Sequence, residues 1–135
     1  MHAFIVNLEN RRGTLADLGT ALGERGINIT GLAATTWEGT GSVAIVTNDD
    51  SATLAALDEA GFDYRETELV SAQIEDRPGA LGEAARRIAD RNVNIELVMP
   101  TDTQGTRVTV AFGVDDVERA REALGELAAV GSQAV

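Results

Sequence analysis

The sequence contains no cysteine, no lysine and a single histidine, and its 135 residues include only one Trp, one Tyr and three Phe. The missing cysteine excludes disulfides, thiolate nucleophiles and cysteine-held metals. The one histidine, His2, stands at the second position. A transition-metal site or a Ser–His pair would have to be built on it alone, so neither metal nor cofactor is expected. Without lysine, a strand–glycine loop–helix of the phosphate-binding type cannot be completed. Aromatic residues make up 4% of the chain within a hydrophobic share of 44%, so the core must be aliphatic. No apolar run is long enough to span a membrane. The opening residues Met1-His2-Ala3-Phe4-Ile5-Val6-Asn7 also lack a basic stretch followed by a long apolar one. The expectation is a soluble, cytoplasmic protein.

Charge of one sign is scarce as well. Eleven arginines face 22 acidic residues, for a net charge of −11. Such a chain repels phosphate backbones and anionic lipid, which argues against nucleic acid and membrane as partners. Arg86, Arg87 and Arg91 share a predicted helix, but Glu83 and Asp90 accompany them.

What is present is an internal repeat. Leu8-Glu9-Asn10-Arg11-Arg12-Gly13-Thr14-Leu15 returns 66 positions later as Ile74-Glu75-Asp76-Arg77-Pro78-Gly79-Ala80-Leu81. The register holds without a gap to Asn28-Ile29 and Asn94-Ile95. Each half, residues 1–69 and 70–135, reads in the same order. Phe4, Val6 and Leu8 alternate on one face of a first strand. A helix follows with Leu15, Leu18, Ala21 and Leu22 inward, stopped near Gly26. Strands at 27–37 and 42–47 flank a turn at 38–41. Asp49-Asp50 then starts a second helix with Leu54, Leu57 and Ala60 inward, ended by Gly61. A fourth strand is predicted at 63–68. In the second half, strands are expected at 70–74, 93–99 and 106–113. Its helices fall at 80–91, with Leu81, Ala84, Ala85 and Ile88 inward, and at 116–128. Only 130–135 remains there for a fourth strand. Continuous strand character over 67–72 predicts two rigidly placed halves sharing one sheet. Trp37 is expected to be partly buried. Units of roughly 65–70 residues lie near the lower limit of independent stability, which points to a homodimer.

This βαββαβ order, with Asn10-Arg11-Arg12-Gly13-Thr14-Leu15 and Asn28-Ile29 matched by Asp76-Arg77-Pro78-Gly79-Ala80-Leu81 and Asn94-Ile95, resembles the ACT domain family of regulatory amino-acid-binding modules. It looks most like small stand-alone proteins made of two such domains in tandem. The resemblance implies an α+β fold of two ferredoxin-like modules, antiparallel sheets with helices on one face. It further implies a ligand, an amino acid or similar small molecule, held between the glycine turn of one domain and the second strand of a neighbour. Carried over, the ligand-binding residues are Asn10, Gly13, Thr14 and Asn28, and Asp76, Gly79, Ala80 and Asn94. Arg12 stands where the family usually has proline. These residue types fit such a ligand. Glycine admits it close to the backbone, and the free N–H groups of a first helical turn favour a carboxylate. The amide of Asn offers a donor and an acceptor, and Asp76 suits an ammonium. No nucleophile or base is evident, so a non-enzymatic regulator is expected, acting through another enzyme or protein. The competing reading is a structural or interaction module with inert turns.

Overall fold

The computed structural model describes residues 1–129; the strand considered at 130–135 lies outside the described residues. Contacts divide the chain into two compact units, residues 2–66 and 67 onward.

In the first unit, the alternating apolar residues of β1 (His2–Glu9) put Phe4, Val6 and Leu8 into a core with Leu18, Leu22, Ile27, Val43, Ile45, Ala56 and Leu57. The helices α1 (Thr14–Gly23) and α2 (Asp50–Ala60) supply Leu18, Leu22, Ala56 and Leu57 to that core. Antiparallel pairing joins β3 (Thr40–Thr47) to β1 on one side and to β2 (Ile29–Trp37) on the other. The start of β4 (Asp63–Glu75) completes the order β2-β3-β1-β4, the ferredoxin-like arrangement. The hairpin between β2 and β3 is tighter than the predicted turn. Glu38 and Gly39 both take positive φ, 47° and 82°, the backbone a two-residue turn between twisted strands requires.

The second unit is built the same way from α3 (Ala80–Asp90), β5 (Ile95–Gln104), β6 (Arg107–Val114) and α4 (Val117–Leu124), in the order β4-β6-β5. Its core gathers Val70, Ala72, Ile74, Ala80, Ala84, Ile88, Val93, Val110, Phe112, Val114, Ala120 and Leu124. Residues 66 apart occupy matching places as far as Pro100. A bulge between Pro100 and Asp102 then absorbs one extra residue, and from there matching residues are 67 apart, as Val43 and Val110 are. Pro100 is tolerated because β5 is an edge strand, where a missing N–H costs little.

The strands at 63–68 and 70–74 do run on as one strand, β4, in keeping with the continuous strand character expected over 67–72. Several expectations are corrected. The last helix stops at Leu124 rather than 128, because Gly125 takes φ 56° and a short 3-10 turn, Gly125–Leu127, follows. Leu15 and Leu81 are each 48% exposed, not inward. Periodicity sets which face a residue lies on, but not how far the covering surface reaches along it. In α2, Ala60 is exposed, and Thr53 and Ala56 point inward beside Leu57. Thr53 enters the core because its hydroxyl is satisfied by Asp49 O at 2.8 Å and the Thr47 hydroxyl at 2.7 Å.

Candidate ligand site

The turn from first strand to first helix has the same geometry in both units. Asn10 N–H donates to Gly39 O at 3.2 Å and Arg11 N–H to Glu9 O at 2.8 Å; in the second unit Asp76 N–H donates to Thr106 O at 2.7 Å and Arg77 N–H to Glu75 O at 3.0 Å. Gly13 (φ 92°, ψ −12°) and Gly79 (φ 89°, ψ −15°) occupy the N-cap position in the left-handed region. Only glycine adopts it without steric cost. The turn is therefore indifferent to whether Arg12 or Pro78 precedes the glycine. Pro78 lies before the cap rather than at the first helical position. No side chain caps α1 or α3, whereas α2 and α4 are capped by Asp49 (from Ala52 N–H, 3.0 Å) and Asp116 (from Arg119 N–H, 3.0 Å). The N-termini of α1 and α3 thus keep N–H groups and positive dipole ends available to an anion.

Each turn borders an open cleft within its own unit. The first, about 760 Å³, is lined by Asn7, Glu9, Arg11, Thr14, Asp17 and Asp63 together with the hairpin residues Gly39 and Thr40. The second, about 540 Å³, is lined by Gln73, Glu75, Arg77, Ala80, Glu83 and Arg107, with 126–129 as its other wall. Of the eight residues singled out from the sequence, Thr14 and Ala80 line these clefts, and Asn10, Gly13, Asp76 and Gly79 form the turns beside them. Arg11, Asp17, Arg77 and Glu83 were not singled out. Arg11 and Arg77 stand inside the repeated motif, which was the available signal.

Asn28 and Asn94 lie elsewhere in their units. β3 begins beside Asn10, through Gly39 O, and ends beside Asn28, through Asn48. A strand of that length separates the two ends by roughly 25 Å. Asn28 N–H donates to Asn48 Oδ1 at 3.0 Å and Asn94 N–H to Asp115 Oδ1 at 3.1 Å. Within one unit, then, the asparagine and the glycine turn do not meet. Their side chains are exposed next to these backbone-to-side-chain links.

The electrostatics of the two clefts differ. Arg11 Nε donates to Glu9 at 3.0 Å and Arg77 Nε to Glu75 at 3.0 Å. Only Arg77 continues, donating through Nη2 to Glu83 at 2.7 Å and through Nη1 to Pro78 O at 3.3 Å. Glu83, and after it Glu75, raise the Arg77 guanidinium above its ordinary range, and Arg77 holds the Glu83 carboxyl below its own. Arg87 likewise bonds Glu126 at 2.8 Å and Leu124 O at 3.0 Å, which lowers the Glu126 pKa and ties down the 3-10 turn at the second cleft's wall. Ala21 holds the corresponding place in the first unit. In the first cleft Asn7 Nδ2 donates to Asp63 at 3.0 Å. Asp58 accepts from the Tyr64 hydroxyl at 2.6 Å and pushes its pKa up to about 12.

No group of acidic or histidine residues among the described residues could hold a metal ion. His2 sits against Asp50, its Nδ1 at 3.4 Å. Trp37 is 77% exposed, contrary to the partial burial expected, because it ends the edge strand β2 next to the hairpin turn. No helix among the described residues is long and apolar enough to cross a membrane.

The ACT domain family model matches residues 2–61. Comparison with curated protein sequences finds no match. Among solved structures, a protein of Bacteroides thetaiotaomicron superposes with a TM-score of 0.80 at 22% identity, over 93% of this chain and 86% of that one. The regulatory subunit of aspartate kinase from Thermus thermophilus, in its ligand-free form, superposes with a TM-score of 0.68 at 20% identity, over 93% of this chain and 91% of that one. The regulatory subunit from Thermus flavus gives 0.65 at 20% identity, covering 93% and 92%. At these identities the likeness is one of fold. Residues 2–61, which carry the first uncapped glycine turn and its cleft, are an ACT domain.

Proposed function

We propose that this chain is a non-enzymatic regulatory protein of two tandem ACT domains, residues 1–69 and 70–135, that binds an amino acid at its glycine turns. The observation that carries the reading is the pair of uncapped helix N-termini, each opened by a glycine of nearly identical φ and ψ. A carboxylate placed there gains N–H donors and a favourable dipole while meeting no competing side-chain cap. The ACT match over residues 2–61 supports the first domain. The repeat in sequence, together with a shared fold reaching across 93% of the chain in regulatory subunits of aspartate kinase, supports the second. On this reading the ligand-binding set is Asn10, Gly13, Thr14 and Asn28 with Asp76, Gly79, Ala80 and Asn94. Because the turn and the asparagine lie at opposite ends of each unit, a site using both must join different domains or subunits. Homodimerisation supplies such a joint, and a ligand held across it favours whichever association it binds more tightly. The output passes to an enzyme or another protein.

A thermal-shift panel of the common amino acids tests this. An amino acid at about 100 times its dissociation constant stabilises the fold by roughly 2.7 kcal/mol. A panel in which no amino acid moves the transition at millimolar concentration would overturn the proposal.

A further inference from the structure

Among the differences between the two clefts is one methylene group at a matched position, which decides whether the cleft's arginine keeps its terminal nitrogens without an internal partner. Asp17 and Glu83 are 66 residues apart, as are Arg11 and Arg77. Glu83 is long enough to reach Arg77 at 2.7 Å, and with Glu75 and Pro78 O it occupies all three nitrogens of that guanidinium. Asp17 makes no such bond. Arg11 is held through Nε by Glu9, which fixes the plane of its guanidinium, and its two terminal nitrogens have no partner among the described residues. Both Arg11 and Asp17 line the first cleft, together with Asp63, which Asn7 holds in place at 3.0 Å.

We infer that the first cleft receives the zwitterionic end of an α-amino acid, its carboxylate on the terminal nitrogens of Arg11 and its ammonium on Asp17 and Asp63, while in the second cleft Arg77 is already taken up by the protein's own Glu75, Glu83 and Pro78 O. This rests on the proposed function and narrows it to the first glycine turn, where Arg11 joins the helix N–H groups in holding the carboxylate. The planar fork of arginine matches a carboxylate with two parallel N–H donors. Two carboxylates lining the same cleft favour an ammonium and penalise a ligand that is only an anion. In the second cleft the matched arginine has a second internal carboxylate, Glu83, on a terminal nitrogen, with which any ligand must compete.

The test uses the full-length chain labelled with ¹⁵N, titrated with glycine and with each common L-amino acid, and with acetate and methylamine as probes carrying one charge each. Amides of residues 13–17 and the Arg11 Nε resonance are expected to shift with at least one amino acid. Amides of 79–83 stay in place, and acetate or methylamine alone has a far weaker effect. Asp17→Glu, which lets the side chain reach Arg11, should weaken binding by about tenfold or more, as should Arg11→Gln. Glu83→Asp, which shortens the closing side chain, should bring residues 79–83 into the response. Circular dichroism establishes that each variant is folded. Shifts confined to 79–83 or to other parts of the chain, or undiminished binding in both Asp17→Glu and Arg11→Gln, would overturn this assignment and leave the regulatory reading standing. If no amino acid shifts any resonance, both fall together.

Discussion

The N-cap aspartates and the turn glycines do opposite jobs at the starts of four helices. Asp49 and Asp116 satisfy first-turn N–H groups from within. Replacing either with Ala should therefore cost about 1 kcal/mol in urea unfolding and leave ligand response unchanged. Gly13 and Gly79 accept one helix N–H each through their carbonyls but have no side chain with which to cap the first turn. An added Cβ at Gly13 would meet no atom within 4 Å, so the effect of Gly13→Ala comes from the backbone alone. A left-handed alanine costs about 1–2 kcal/mol, and any relaxation of the turn re-aims the helix N-terminus. The expected outcome is a lower unfolding midpoint together with loss of the amino-acid-induced thermal shift. The Arg77–Glu83 pair carries a pH dependence of definite sign. The Glu83 pKa is depressed by its hydrogen bond to Arg77, so the pair's contribution to stability is present above the ordinary glutamate range. It is lost as pH falls through the lowered value. Because the pair is exposed, the effect should be small and should shrink in salt. Comparing acid unfolding of the unchanged chain and Glu83→Gln measures it; equal acid sensitivity in the two would contradict the sign.

At the scale of elements, the bulge in β5 and the glycine at position 113 show how closely the second unit's strands are fitted. The bulge after Pro100 takes up the residue by which β5 exceeds β2, so β6 pairs in the same register as β3. Gly113 faces Thr67 and Leu97, and a Cβ there would stand 2.9 Å from Thr67 Cγ2 and 3.0 Å from Leu97 Cβ. Gly113→Ala should destabilise the fold by about 2 kcal/mol through overpacking, read as a lower urea midpoint at constant slope. Val46 fills the matched place in β3, so the constraint belongs to the second unit's packing and not to the motif. Strand alternation and helix periodicity made most elements legible in the sequence, although β1 and β6 bury residues of both faces over part of their length. The end of α4 and the exposure of Leu15 and Leu81 were not legible. The exposure depends on where a neighbouring surface stops, which local pattern does not encode, whereas the end of α4 follows from the backbone that Gly125 adopts.

For the molecule as a whole, the proposed mode of action requires association. Sedimentation velocity should give twice the mass of one 14.2 kDa chain, with the equilibrium moved by whichever amino acid gives the thermal shift. A monomer unaffected by any amino acid would remove the dimer from the proposal. The edge strands β2 and β5 carry the exposed Leu32 and Val98 at matched positions, and Trp37 ends the first of these strands.

The sequence alone determined the 66-residue repeat, the order of elements and the two glycine turns. These follow from local rules: alternation, helical spacing, and the need for glycine where φ is positive. What only the tertiary structure decided is which charged groups share a cleft and which are already taken. Arg11 and Arg77 look interchangeable in the repeated motif, and so do Asp17 and Glu83 as acidic residues of a first helical turn. Folding brings each pair to one cleft, where a single methylene closes the 2.7 Å bond in one unit and leaves the arginine's terminal nitrogens without a partner among the described residues in the other. That distinction rests on distance in space, to which the spacing of residues along the chain gives no access.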